Sequence, residues 1–256
     1  MNAIIRPKKH LGQHFLKDDN IARKIVYSVQ SSVFPILEIG PGMGVLTKFL
    51  LQLENRECHF MDTDQESIHY LNETFPGHVE KFILADFLKY DLKILFPGKF
   101  CIIGNFPYNI SSQILFKVLA HRQQVTQVVG MIQKEVAERL AAGPGSKTYG
   151  ILSVLLQAYY RIEYLFTVNE TVFIPPPKVK SAVIRLTRND REALDCDEAL
   201  FFKVVKTAFN QRRKTLRNSL KTFYIDYERG ELTHLAGKRA EELGVEEFVQ
   251  LTRLAV

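Results

Sequence analysis

Short apolar runs alternate with segments of helical spacing along the first part of the chain. The runs that predict strands are Ile36–Ile39, Glu57–Met61, Phe82–Leu84, Phe100–Ile103 and Val125–Ile132. The segments that predict helices are 21–30, Val45–Leu53, Gln65–Glu73, Ser111–His121, with Ser111 or Ser112 as its cap, and Lys134–Ala142. Regular alternation of strand and helix predicts an α/β domain with a mostly parallel sheet.

The pattern changes toward the C-terminus. Ile151–Tyr160 has the length of a helix, and Tyr164–Val168 and Ala182–Leu186 predict two late strands around the Pro175–Pro177 loop. Residues 197–256 show only helical patterns, with apolar positions at Phe202, Val205, Phe209, Leu216, Leu220 and Phe223. We therefore predict a first domain, 1–187, that starts with a basic arm or short helix at 1–20, and a small helical domain, 188–256.

Composition narrows the class of protein without identifying it. The 256 residues are 46% hydrophobic and 24% charged, which is typical of a soluble globular protein. No apolar run reaches the roughly 20 residues of a membrane span, and the N-terminus lacks the features of a signal peptide. The three scattered cysteines, Cys58, Cys101 and Cys196, argue against a disulfide framework and a metal site. We expect a cytoplasmic protein without a bound metal.

The excess positive charge of the chain is concentrated in its C-terminal part. The net charge is +6, and residues 199–225 contain seven Lys or Arg and no acid. On a predicted helix through 209–221, Arg213, Arg217 and Lys221 are four residues apart and share one face. Such a face suits RNA phosphates, although a solvated basic face is the more frequent meaning of a charge run. Lys178 and Lys180 in the proline loop are further candidate RNA-binding residues.

A glycine-rich turn follows the first predicted strand and opens a helix, at Leu37–Gly44. Gly40 and Gly42 let the backbone approach a ligand closely, and the helix start offers free N–H groups. The nicotinamide pattern G-x-G-x-x-G is not met, because position 45 is Val. The E-x-G-x-G-x-G spacing is instead that of S-adenosylmethionine methyltransferases, with Glu38 near the cationic amino acid end of the cofactor. A tight turn without a ligand is the less favoured alternative.

Two acids follow the next two predicted strands. Asp62 lies 20 positions after Gly42, where a carboxylate accepts hydrogen bonds from ribose hydroxyls in dinucleotide-binding folds. Asp86 is placed to accept from the adenine amine of the same cofactor, with Phe87 covering the ring. An Asp after a strand is usually a loop or cap residue, so Asp86 gains weight only from its place in this series.

The stretch Asn105-Phe106-Pro107-Tyr108 follows the fourth predicted strand. The lone pair of an aromatic amine is delocalised, so the amine is a poor nucleophile. The Asn105 side-chain carbonyl and the backbone carbonyl of Phe106 or Pro107 would accept its two N–H bonds and aim the lone pair at a methyl group. Tyr108 would stack on the flipped-out base. An N-x-P-Y turn alone is equally compatible with a structural role, but the glycine turn and two acids upstream favour methyl transfer.

With these motifs in place, the chain resembles the bacterial small-subunit ribosomal RNA adenine dimethyltransferases, from Lys8 to about Leu251. The segments that carry the resemblance are Lys9–Leu16, Glu38–Gly42, Gly104–Ser111, Gln133–Val136, Phe173–Leu186 and Phe209–Leu220. The last two are long and specific, and they separate the chain from generic methyltransferases and from the antibiotic-resistance methyltransferases of large-subunit RNA.

The resemblance implies a fold, a cofactor and a reaction. The fold is a seven-stranded Rossmann-like methyltransferase sheet with a C-terminal helical domain, and the cofactor is S-adenosylmethionine. The reaction is dimethylation at N6 of two adjacent adenosines near the 3′ end of small-subunit (16S) ribosomal RNA, by a monomer acting on an immature 30S particle. The cofactor positions fall on His14, Leu16, Gly40, Asp62, Asp86 and Asn105. The family usually has Asn at position 14, Glu at 62 and Leu at 106, where this chain has His14, Asp62 and Phe106.

Two other functions compete with this one. A DNA adenine methyltransferase can share an N-x-P-Y-type motif, but the two long C-terminal segments argue against it. A non-catalytic ribosome-assembly factor would keep the fold and the basic surface. The intact glycine turn and Asn105–Tyr108 argue against that alternative.

Overall fold

The protein is described by a computed structural model that covers residues 7–8, 11–30, 33–227 and 230–255. Its strands are β1 (Phe15–Leu16), β2 (Ile36–Ile39), β3 (Cys58–Asp62), β4 (Phe82–Leu84), β5 (Phe100–Asn105), β6 (Val125–Gln133), β7 (Tyr160–Val168), β8 (Phe173–Ile174) and β9 (Ser181–Arg188). Seven of them form one sheet in the order β4-β3-β2-β5-β6-β9-β7, while β1 and β8 pair antiparallel by themselves. Much of the predicted N-terminal arm, 1–6 and 9–10, lies outside the described residues.

The large sheet confirms the predicted α/β class. The pairs β2–β3, β2–β5, β3–β4 and β5–β6 are parallel, and β9 pairs antiparallel with β6. The strand order reverses between β2 and β5, because β3 lies on one side of β2 and β5 on the other. In open α/β sheets this switch point opens a crevice beyond the carboxyl ends of the strands, where ligands bind.

The helices are α1 (Asp19–Tyr27), α2 (Thr47–Leu50), α3 (Gln65–Thr74), α4 (Leu92–Leu95), α5 (Ser111–Ala120), α6 (Lys134–Ala141), α7 (Ile151–Gln157), α8 (Glu198–Asn210), α9 (Leu216–Ser219) and α10 (Val245–Leu254). Asp18, Asp64 and Asp197 cap α1, α3 and α8 by accepting backbone N–H bonds, which explains where these helices begin. None of the helices in the described part of the chain has the length and apolarity needed to span a bilayer.

The hydrophobic core forms where helices cover the buried strands. All four residues of β2 are buried, and α1 packs Ala22, Ile25 and Val26 into the same cluster. Cys58 and Cys101 are buried free thiols of this core. Within the described residues, no three His, Cys, Asp or Glu side chains form a group that could hold a metal ion.

Among the predicted helices, two are clearly shorter in the structure and one lacks its predicted cap. The helix predicted over Val45–Leu53 is a single turn, α2, flanked by other turns. Neither Ser111 nor Ser112 caps α5, since the helix already begins at Ser111 and the Ser111 hydroxyl donates to Tyr108 O. The helix predicted over Ile151–Tyr160 stops at Gln157, because Tyr160 begins β7.

The chain folds into two compact units. One comprises 1–137 and 163–188, and the other comprises 138–162 and 189–256. The boundary after residue 188 lies next to the predicted one. Residues 138–162 were expected in the first domain, but they belong to the same compact unit as 189–256. The reason is that α7 buries Val154, Leu155 and Leu156 and packs against α8 and α10.

The helix predicted through 209–221 is wrong. α8 ends at Asn210, and Thr215 has extended φ and ψ angles of −65° and 158°. The Leu216 N–H donates to Lys238 O (2.8 Å), outside any continuous helix, and α9 spans only four residues. Arg213, Arg217 and Lys221 are exposed, but they do not share the face of one helix. Leu216 and Leu220 are buried, and Phe223 is partly buried.

Candidate active site

A cavity of about 210 Å³ opens at the carboxyl ends of the parallel strands, beside the switch point. It brings together residues that are far apart in the sequence. The predicted site residues that line it are His14, Gly40, Gly42, Asp62, Asp86, Asn105, Phe106, Pro107 and Tyr108. All of them belong to the first of the two units.

The glycine turn provides the space for a ligand next to β2. Gly40, Gly42 and Gly44 have φ angles of +68°, +54° and +74°, in the left-handed region that favours glycine. A Cβ on Gly42 would lie 2.8 Å from the Phe15 ring, so this glycine is also required by packing. A Cβ on Gly40 would meet nothing closer than Asn105 O at 4.0 Å, because Gly40 faces the cavity.

Asp62 ends β3 with a carboxylate that the backbone orients. Its Oδ2 accepts from the Gly42 N–H (3.2 Å), and its Oδ1 accepts from the Asp64 N–H (2.9 Å). Burial raises the pKa of the Asp62 carboxyl, and these two backbone hydrogen bonds oppose the rise. Each oxygen keeps a further lone pair, and the group lines the cavity, which fits the acceptor of a vicinal diol such as a ribose.

Asp86 follows β4 and lines the cavity, as predicted, but the neighbouring Phe87 does not. One Asp86 oxygen accepts from the Leu88 N–H (2.9 Å), and the carboxylate lies 3.7 Å from Lys89 Nζ. Phe87 was expected to cover an adenine ring, yet it is buried and does not line the cavity. Leu88 takes that place, because the turn at Asp86 directs residue 88 toward the cavity.

Glu38 is buried behind the glycine turn. Its Oε2 accepts from the Thr47 hydroxyl (2.7 Å), and burial raises the pKa of the Glu38 carboxyl to about 8. It borders a small adjoining cavity of about 20 Å³ that Gly40 and Asn105 also line. The predicted contact of Glu38 with the cationic end of the cofactor therefore stays a prediction.

Asn105 ends β5 with an amide whose orientation is determined by one contact. Its Nδ2 donates to the backbone oxygen of His14 at 2.8 Å. The amide nitrogen is thereby directed at the N-terminal arm, and Oδ1 is left as an acceptor without a hydrogen-bond donor among the described residues. An oriented carbonyl acceptor beside the glycine turn is what the target amine requires.

The Phe106 ring is packed so tightly that its backbone is held in place. The side chain is 1% exposed, and Cβ atoms built on Gly104 and Gly130 would lie 3.0 and 2.5 Å from ring carbons. The Phe106 N–H donates to Met131 O (3.0 Å), while Pro107 O accepts from the Ile110 N–H (3.2 Å). Because the Pro107 carbonyl already serves this turn, the Phe106 carbonyl is the better second acceptor.

Tyr108 is half-buried at the cavity and is held from two sides. Its hydroxyl lies 2.6 Å from Ser181 Oγ, and its ring stacks on the His14 ring with centroids 5.4 Å apart. His14 Nδ1 lies 2.8 Å from Pro175 O, so this nitrogen carries a proton. One face of Tyr108 is therefore covered by His14, and the residue lines the cavity.

Leu16, like Phe87 and Glu38, was predicted to lie at the cofactor but does not line the main cavity. It lies in β1 opposite Phe173, its side chain is 3% exposed, and it belongs to the hydrophobic core. Motif spacing does not reveal this, because side chains alternate between the two sides of a strand.

Sequence reasoning missed several residues that line the cavity, among them Gln13, Thr63 and Asn109. It also missed Asp64, which accepts from Lys8 Nζ (2.6 Å) and Gln13 Nε2 (3.2 Å). An Asp before the helical segment at 65–73 is an N-cap signal, and that signal would have singled out Asp64.

The predicted RNA-binding residues occupy two surfaces. Lys178 and Lys180 are exposed in the loop between β8 and β9, whose Pro175 and Ser181 contact His14 and Tyr108 at the cavity. In the other unit, Arg217 and Lys221 line an open concavity together with Tyr224, which is 78% exposed. Arg213 is exposed in the turn before α9.

The strand order and this cavity define a class of protein. The groups that line the cavity are an open glycine turn, oriented carboxylates at the ends of successive strands, and a free amide oxygen at the end of β5. It fits an adenosine-containing cofactor without a pyrophosphate, and the fold and site are those of an S-adenosylmethionine-dependent methyltransferase.

Comparison with known proteins narrows the class. A family model described as "Ribosomal RNA adenine dimethylase" matches residues 4–255. "Ribosomal RNA small subunit methyltransferase A" of Parabacteroides distasonis is 59% identical over 98% of this chain and 95% of its own length. The protein of the same name from Cytophaga hutchinsonii is 58% identical over 98% and 97%. The chain therefore belongs to the ribosomal RNA adenine dimethylase family.

Solved structures agree with this assignment. A dimethyladenosine transferase from Plasmodium falciparum superposes with a TM-score of 0.78 at 25% identity, over 93% of this chain and 96% of that one. The 23S rRNA methyltransferase ErmE gives a TM-score of 0.73 at 26% identity, over 94% and 99%.

The packing of Phe106 generates a testable prediction. Gly130→Ala places a Cβ 2.5 Å from the Phe106 ring and forces that ring to move. We expect a loss of about 1–3 kcal/mol in the free energy of unfolding, measured by denaturant titration, together with slower methyl transfer. Gly98→Ala, where a Cβ meets nothing within 4 Å, is the control. Equal behaviour of the two variants would contradict the tight packing.

The buried Glu38 carboxyl predicts a pH dependence of stability. Its pKa is about 8 in the folded ligand-free protein against an ordinary value of 4.5, so the folded state binds more protons between these values. Its contribution to stability is therefore lost as pH rises through that window. The thermal midpoint of Glu38→Gln, compared with that of wild type at the same pH, should therefore rise between about pH 5 and about pH 9. Glu54→Gln, at an exposed site, should show no such trend.

Proposed function

We propose that this chain dimethylates N6 of two adjacent adenosines near the 3′ end of small-subunit ribosomal RNA. Membership of the ribosomal RNA adenine dimethylase family supplies the reaction and the S-adenosylmethionine dependence. The name of its relatives at 58–59% identity, ribosomal RNA small subunit methyltransferase A, supports the choice of subunit. The observation that carries the proposal is the oriented Asn105 amide at the switch point of the sheet.

Residues at the ends of β2, β3 and β4 would hold the cofactor, which supplies an electrophilic methyl group on a sulfonium. The backbone at Gly40 and Gly42 lies against the open part of the cavity, Asp62 is placed for ribose hydroxyls, and Asp86 for an adenine amine. We assign His14 to the rim of the same pocket, next to Tyr108. The contribution of Leu16 would come from its backbone, since its side chain is in the core.

Asn105 and Phe106 would activate the target amine by position. Asn105 Oδ1 and the Phe106 carbonyl would each accept one N–H of adenine N6, which draws the nitrogen toward tetrahedral geometry and aims its lone pair outward. Pro107 stiffens the backbone between them and Tyr108. The proton becomes acidic once the nitrogen is methylated, so no strong general base is needed, and positioning and electrostatics supply most of the catalysis.

Tyr108 would bind the base after it leaves the RNA stack. An adenine inside a helix cannot reach a recessed cavity, so it must be extruded, at a cost of a few kcal/mol. One face of Tyr108 is covered by His14, and the base would stack on the opposite face. The hydrogen bond to Ser181 holds the ring in place.

The RNA would be bound by basic residues of both units. Lys178 and Lys180 lie in the loop between Pro175, which contacts His14, and Ser181, which contacts Tyr108, so they suit phosphates next to the target adenosines. Arg213, Arg217 and Lys221 lie in the acid-free segment 199–225, and the exposed Tyr224 adds a surface for a base. We also propose that the chain acts as a cytoplasmic monomer on an immature 30S particle.

The decisive experiment offers three substrates to the protein. Labelled S-adenosylmethionine is supplied with small ribosomal subunits that lack the modification, with naked ribosomal RNA, and with duplex DNA. We expect label in small-subunit RNA as N6,N6-dimethyladenosine. Label only in DNA would favour the DNA methyltransferase, and label nowhere would favour a non-catalytic assembly factor.

Asn105→Ala tests the central residue. Removing the amide oxygen should lower the methyl-transfer rate by at least about 100-fold, because the amine loses an acceptor made for the transition state. RNA affinity, measured by filter binding, should stay within about threefold, because phosphate contacts dominate it. An equal loss of rate and RNA affinity would show that Asn105 is structural.

The concavity lined by Arg217, Lys221 and Tyr224 leads to a separate prediction. Arg217→Gln with Lys221→Gln should weaken RNA binding and lower the slope of log affinity against log salt by about one per lost phosphate contact. Tyr224→Ala should weaken binding by about 1–3 kcal/mol without changing that slope, while Tyr224→Phe should bind as wild type does. Lys99→Gln, at the amino end of β5, is the control for the loss of one positive charge outside the concavity. An unchanged salt slope in the double variant would rule out phosphate contacts there.

A further inference from the structure

Asp64 is a buried charged residue that the proposed reaction does not use. Its side chain is 2% exposed, although it begins α3 at the surface end of β3. Its carboxylate accepts from the Glu66 N–H (3.1 Å) and from the Ser67 hydroxyl (3.2 Å). A helix cap explains those two contacts, but capping residues are usually exposed, and two further contacts remain to be explained.

Both of these contacts come from the N-terminal arm. Lys8 Nζ lies 2.6 Å from Asp64 Oδ1, and Gln13 Nε2 donates to Asp64 Oδ2 (3.2 Å). The Lys8 backbone N–H also donates to Gln13 Oε1 (2.8 Å). Lys8 Nζ also lies 3.0 Å from Glu66 Oε1, so the arm is attached to Asp64 at two points and to Glu66 at a third. We call Asp64, Lys8 and Gln13 the arm clamp.

The arm clamp ends one residue before the group that orients Asn105. His14 follows Gln13, and its backbone oxygen accepts from Asn105 Nδ2 at 2.8 Å. On its other side, His14 is held by Pro175 O through Nδ1. The direction of the Asn105 amide therefore depends on the position of one arm carbonyl, and the arm clamp holds the chain directly before it.

The same clamp lies next to the residue proposed for the ribose. The Asp64 N–H donates to Asp62 Oδ1 (2.9 Å), so a shift of Asp64 moves that carboxylate. Burial raises the pKa of Asp64, but hydrogen bonds from Lys8, Gln13 and the Glu66 N–H, together with the charge of Lys8, lower it further than burial raises it. Lys8 therefore balances a negative charge two residues from Asp62.

The alternative is that the ion pair merely fastens the arm. An ion pair with one exposed partner contributes little to stability in general. The chain contains a suitable comparison, because Lys48 Nζ and Asp19 Oδ1 are also 2.6 Å apart, on exposed side chains that do not line the cavity. The two ion pairs have the same length, but Asp64 is 2% exposed and Asp19 is 57% exposed, and only the first pair is connected to the cavity.

We propose that the arm clamp is a positioning element of the active site, which sets the His14 carbonyl and through it the direction of the Asn105 amide. This inference rests on the proposed function, because it assigns Asn105 Oδ1 to the target amine. Asp64, Lys8 and Gln13 are positioning residues and do not touch the reacting atoms.

The test compares three substitutions in the full chain, with labelled S-adenosylmethionine and unmodified small subunits as substrates. In Lys8→Met we expect kcat to fall by about 10- to 100-fold at saturating cofactor, since small displacements of a reacting group have effects of this size. Lys8→Arg keeps the charge and should restore kcat to within about threefold of wild type. Lys48→Met is the matched control and should leave kcat unchanged.

Thermal midpoints and kcat per folded molecule together distinguish a clamp that positions the active site from one that only stabilises the N-terminal arm. We expect the midpoint of Lys8→Met to fall more than that of Lys48→Met, because the buried Asp64 carboxylate loses its cation, and we expect only Lys8→Met to lose kcat per folded molecule. If Lys8→Met does not fold, Lys8→Gln replaces it with the same expectation, because Lys8 does not line the cavity. A lower midpoint with an unchanged kcat per folded molecule would overturn the inference. Absence of methyl transfer by the wild-type chain would instead overturn the proposed function.

Discussion

The hydrogen bond between Asn105 Nδ2 and the His14 carbonyl, 2.8 Å long, connects the N-terminal arm to the end of the central strand β5. An amide has a donor end and an acceptor end, so satisfying the donor end determines where the acceptor points. In the proposed reaction the free Oδ1 is the acceptor for the target amine. The contacts of the arm, the stacking of His14 on Tyr108 and the loop at Pro175 all bear on this one bond.

The sheet contributes a second constraint, which is space. The strand order opens a crevice between β2 and β5, and glycines keep it open where side chains would fill it. Gly40 faces the cavity, while Gly104 and Gly130 receive the Phe106 ring and so hold the backbone that follows Asn105. Close packing transmits small changes in volume, so these buried glycines affect the geometry of the site without touching a substrate.

Much of the fold could be predicted because its signals are local. The strands β2 and β4, the glycine turn and the two acids follow from runs, spacing and turn chemistry within a few residues. The pairing of β1 with β8 and the contacts of Asp64 with the arm depend on residues far apart in sequence, which periodicity does not report. The break between α8 and α9 has the same origin, since the helical spacing of 209–221 is overridden by the pairing of Thr215 with Arg239.

The proposed reaction requires Asn105 Oδ1 and the Phe106 carbonyl to receive the amine of the target adenine. A structure of this chain with a bound cofactor product and an RNA that carries the target adenosines tests this requirement most directly. We predict N6 at about 2.7–3.2 Å from both oxygens, with the base against the face of Tyr108 opposite His14. An adenine N6 that contacts neither oxygen, or an Asn105 amide turned with Oδ1 toward the arm, would contradict it.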